Sequence, residues 1–107
     1  MMVFSQEKKQ AKCAIDELKG KAYGEVFPLI RKMQAGEYEP TEDEVVQTHE
    51  RVSKIGGLAL GLQKDYVEKN MQELAGEAAG LYADSQKMID AVEKVAEKKK
   101  IPLEDEE

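Results

Sequence analysis

The sequence predicts an all-α protein, an elongated helical hairpin or small helical bundle with one long heptad-patterned helix, completed by oligomerisation. Three observations carry this expectation. Val67, Met71, Leu74, Ala78, Leu81, Ser85, Met88, Val92 and Val95 follow one another at steps of four and three, the spacing of a packed helical seam. No proline interrupts the stretch from Thr41 to Lys100. The composition, 36% charged and 6% aromatic with no tryptophan, is that of elongated helices. A chain of 107 residues makes one domain with a small core, so a second chain is expected to help cover its apolar stripes.

The first helix is expected over about 5–35, with Ser5 as its N-cap. Ala11, Ile15, Leu18, Ala22, Val26, Leu29 and Met33 keep one helical phase, and Tyr23, Phe27 and Ile30 add a second apolar row beside them. Gly20 and Gly24 weaken the helix, and Pro28 removes a backbone donor and collides with the carbonyl four residues back, so a kink or short break is expected near 20–28. Gly36 supplies a C-terminal stop, and the stretch to Pro40 is turn chemistry.

Thr41 followed by Glu44 is a capping box, and Glu42, Asp43 and Glu44 place carboxylates where the helix dipole favours them. Val45, Thr48, Val52, Ile55, Ala59, Leu62 and Tyr66 continue in one register, and the seam that follows is displaced by one residue. A bend or break at Gly56-Gly57 accounts for the shift, dividing the chain into helices over 42–56 and 58–100. Lys98, Lys99 and Lys100 close the last helix and Pro102 stops it. Residues 101–107 read as an acidic C-terminal tail, solvated from Leu103 to Glu107, beyond a helical domain of residues 1–100.

Three glycine pairs, Gly20 and Gly24, Gly57 and Gly61, Gly76 and Gly80, stand four residues apart and therefore share a helix face. Such pairs permit close approach of another helix. The residues expected at helix–helix or oligomer contacts are Gly57, Gly61, Leu74, Ala78, Leu81, Met88, Val92 and Val95. Glu37, Glu39, Glu42, Asp43 and Glu44 form a possible acidic docking patch.

The net charge of -6, with bases dispersed among acids and only two arginines, argues against direct nucleic-acid binding. The longest apolar stretch, Ile55 to Leu62, is too short to span a bilayer. The lone Cys13 and the lack of an apolar leader point to a cytoplasmic protein with no membrane span. His49 is the only histidine, with valine at position 46 where a Glu-x-x-His motif would need glutamate. Cysteine pairs and phosphate-binding glycine loops are absent. No catalytic residue, metal ligand or cofactor is therefore predicted.

The function expected is that of a small soluble protein–protein interaction module, non-enzymatic, acting as a regulator, inhibitor or assembly factor and forming a homo-oligomer, a dimer by preference. Two alternatives stand beside it. One is an amphipathic lipid- or granule-surface protein, against which the acidic balance and few aromatics weigh. The other is an acidic decoy that occupies a basic nucleic-acid-binding groove of a partner protein.

Overall fold

The computed structural model describes residues 2–103, which form three helical rods and no strand. The first rod consists of α1 (Met2–Lys21), a π-helical turn (Ala22–Val26) and α2 (Phe27–Ala35). The second is α3 (Glu42–Glu68) and the third α4 (Gln72–Lys99). Cross-contacts set their directions. Ala11 meets Tyr66 and Glu25 meets Arg51, so α3 runs antiparallel to the first rod. His49 meets Glu93 and Gly56 meets Ser85, so α4 reverses again. At about 1.5 Å per residue, rods of these lengths reach roughly 40–50 Å, matching overall extents of 54 × 29 × 18 Å.

Local chemistry explains the rod ends. The Thr41 side chain accepts from the Glu44 backbone N–H at 3.2 Å, and the Glu44 carboxylate accepts from the Thr41 N–H at 2.8 Å. The predicted capping box therefore starts α3. All three rods finish in the same way, with one residue in the left-handed region and two reaching-back bonds. Gly36, at φ 77°, donates to Met33 while Glu37 donates to Lys32. Asn70 (φ 61°) and Lys100 (φ 59°) do the same, with Met71 donating to Tyr66 and Ile101 to Ala96.

The expected kink at 20–28 is a π turn. Phe27 donates its N–H to Ala22 five residues back, which re-registers the helix just before Pro28, where the donor is missing. Phe27 and Ile30 are buried, whereas Tyr23 is exposed, its ring edge-on to Phe27 at 5.1 Å and its hydroxyl donating to Asp84.

Three expectations are corrected. Helix α3 runs unbroken through Gly56 and Gly57, so there is no separation into 42–56 and 58–100. A helical glycine costs only about 1 kcal/mol, and Ile55 and Ala59 beside this pair are buried in the core. The break lies instead at Lys69 to Met71. Ser5 is inside α1 rather than at its cap, because Met2, Val3 and Phe4 extend the helix ahead of it. Leu103, expected to be solvated, and Ile101, expected in the same acidic tail, pack half-buried against the core; the rest of that tail, Glu104 to Glu107, lies outside the described residues.

The long seam is internal to the chain. Met71, Leu74, Ala78, Leu81, Ser85, Val92 and Val95 are buried in the same core as Ile15, Phe27, Ile30, Val52 and Tyr66, and Met88 is half-buried against it. Val67 precedes the turn and is 59% exposed. Two rods thus cover the face that the sequence alone left open.

Candidate interaction surface

The glycines divide by what surrounds them. A Cβ on Gly56 would lie 3.4 Å from the Ser85 Cβ and 3.9 Å from Ile89, so Gly56 is the one helical glycine that faces the α3–α4 contact. Ser85 fits there because its hydroxyl turns back to the Leu81 carbonyl at 2.8 Å and leaves no unsatisfied group. A Cβ on Gly20, Gly24, Gly57, Gly61, Gly76 or Gly80 would meet nothing within 4 Å. All six lie within helices and on outward faces.

Of the residues expected at helix–helix contacts, the structure brings Leu74, Ala78, Leu81, Val92 and Val95 together in the core and sets Met88 at its edge. Gly57 and Gly61 are separate from this group, on the solvent side of α3. A contact through that pair has to come from outside the described residues.

The acidic patch also divides. Glu37, Glu42 and Asp43 are exposed. Glu39 accepts from the Lys99 ammonium, and Glu44 is held by the cap. The Tyr38 hydroxyl beside it and the Thr41 backbone N–H hold the Glu44 carboxyl below its ordinary range.

Two of the open grooves among the described residues lie between rods. One, of about 270 Å³, lies between the first rod and α3, with Leu18, Val26 and Ile55 as floor, Leu58 at its lip and Lys21, Lys54 and the Glu25–Arg51 ion pair as rim. Leu58 is 50% exposed. The other, of about 360 Å³, lies between α2 and α4 over Met33, Ala91 and Val95, edged by Lys94, Lys98 and the Lys99–Glu39 pair. The first groove has a weak sequence signal, since Leu58, like Leu60, is a large apolar residue out of phase with the Ile55, Ala59, Leu62 register.

His49 is buried, its Nε2 3.4 Å from a Glu93 carboxylate oxygen, and Cys13 is exposed on α1. Among the described residues no group of three or more His, Cys, Asp or Glu is placed to hold a metal ion, and no helix is long and apolar enough to cross a membrane. No family model, curated protein or solved structure matches the chain.

Proposed function

We propose that the chain is a non-enzymatic, cytoplasmic protein–protein interaction module, acting as a regulator, inhibitor or assembly factor, that takes partner helices against its outward glycine faces. A second copy is one such partner, forming a homodimer. The single observation that supports this reading is the set of six helical glycines in open space. At about 1 kcal/mol each relative to alanine, they cost a large share of a typical total stability of about 5–15 kcal/mol. The chain's own packing gains nothing from their small size, because alanine would fit at every one of them. Close approach of another helix is a use that does require it. Since the α4 seam is already covered, self-association draws on these faces rather than on the seam.

The test is affinity capture from native lysate with the full chain and with Gly57→Leu/Gly61→Leu, a variant whose new side chains meet open space. The expected result is a specific protein retained by the parent chain and lost by the variant, with unchanged helical circular dichroism. Retention of nothing specific, or of the same protein by both, would contradict the reading.

A further inference from the structure

We propose that the groove between α1 and α3 docks an acidic peptide segment of a partner, seating one of its aliphatic side chains against Leu58 and its carboxylates against Lys21 and Lys54. This deepens the interaction-module reading and rests on it.

The groove has an apolar floor and an incomplete apolar lip. Leu18, Val26 and Ile55 are buried beneath it, and Leu58 leaves half of its surface to water at the edge. A side chain placed there would continue the core outward by one residue. At about 270 Å³ and open to solvent, the space falls below the roughly 300–1,000 Å³ usual for small-molecule sites, and it suits a peptide side chain.

Charge selects the kind of peptide. The chain carries a net charge of -6, yet this rim holds three bases and one acid. Glu25 is engaged by Arg51 at 3.2 Å, whereas Lys21 and Lys54 make no ion pair within 4 Å among the described residues. The surplus positive charge therefore complements carboxylates. The π turn that follows Lys21 contributes Glu25 and Val26 to the same wall, and such insertions gather at functional sites.

The same features disfavour the other candidates. A membrane would meet one leucine at the edge of a recess rather than a broad apolar face. The larger groove offers Lys94 and Lys98, but Met33, Ala91 and Val95 beneath it are already buried and leave no aliphatic anchor exposed.

The experiment titrates the full chain with a short fluorescein-labelled peptide of leucine and glutamate, reading anisotropy and backbone amide shifts. Controls replace its leucines with serine or its glutamates with lysine, and phosphatidylserine vesicles are tested in parallel. The expected result is binding of the Leu/Glu peptide alone, with shifts confined to residues 18–26 and 51–58. Lys21→Glu/Lys54→Glu and Leu58→Ser should each weaken it on the order of tenfold, while Lys94→Glu/Lys98→Glu leaves it unchanged. Thermal melts establish that the variants fold, and if Leu58→Ser does not, the lysine pair decides. Absence of peptide binding, equal binding of a control peptide, loss through the Lys94/Lys98 variant or binding of vesicles instead would overturn the proposal. A partner lost on changing Gly57 and Gly61, together with no peptide binding, would sink the groove and leave the interaction-module reading standing.

Discussion

Gly56 faces Ser85 across the α3–α4 contact, where a Cβ on the glycine would rest 3.4 Å from the serine Cβ. Alanine at 56 is at ordinary contact distance and gains helix propensity. Gly56→Ala should therefore be neutral or slightly stabilising in urea denaturation. Gly56→Leu should lose about 1–3 kcal/mol through overpacking. Equal stability of the two variants would show that the crossing is looser than described.

The seam residues should respond according to side. Leu81 is buried, and Leu81→Ala should cost about 2–5 kcal/mol. Val67→Ser, at an exposed position of the same sequence pattern, should stay within about 0.5 kcal/mol. Comparable losses at both would mean that Val67 is covered in solution by another chain.

The cap of α3 links stability to acid. Thr41→Ala should lose about 1 kcal/mol at neutral pH. Glu44 has its folded-state carboxyl pKa depressed by the Tyr38 hydroxyl and the Thr41 backbone N–H, so its contribution is present above the ordinary glutamate value of 4.5 and is lost as pH falls through the depressed one. Glu44→Gln should flatten the decline in melting temperature below that value. An unchanged acid limb would remove Glu44 from the account of acid stability.

At the far end of α4, Lys100 holds a left-handed conformation that costs a side-chain-bearing residue roughly 1 kcal/mol. Lys100→Gly should raise stability by about that amount, measured by thermal melt. Lys100→Val should lower it, and the opposite order would place the helix end elsewhere.

How much of this was legible depends on how local each cause is. The Thr41–Glu44 cap and the Gly36 stop are written in neighbouring residues and are legible from them. The one-residue displacement of the seam is legible too, but not its place: Gly56-Gly57 suggests a break there, whereas the first register runs on to the buried Tyr66, Val67 is exposed, and the buried seam resumes at Met71, beyond the turn. Glycine invites that assignment, yet the burial of Ile55 and Ala59 holds the helix through it. The true turn is signalled only by Asn70, a residue that tolerates positive φ but is common inside helices as well. Three-dimensional neighbours decide the rest. Nothing in the sequence says that Gly56 touches Ser85 while Gly57 touches nothing, nor that Leu58 stands beside Lys21 across a groove.

Self-association through the outward glycine faces is tested most directly by light scattering on a sizing column over a range of concentrations. The proposed homodimer predicts twice the 12.0 kDa chain mass at micromolar concentration, falling toward the monomer in Gly57→Leu/Gly61→Leu with the helical spectrum unchanged. A 12.0 kDa species at every concentration, or a dimer indifferent to both substitutions, would contradict it.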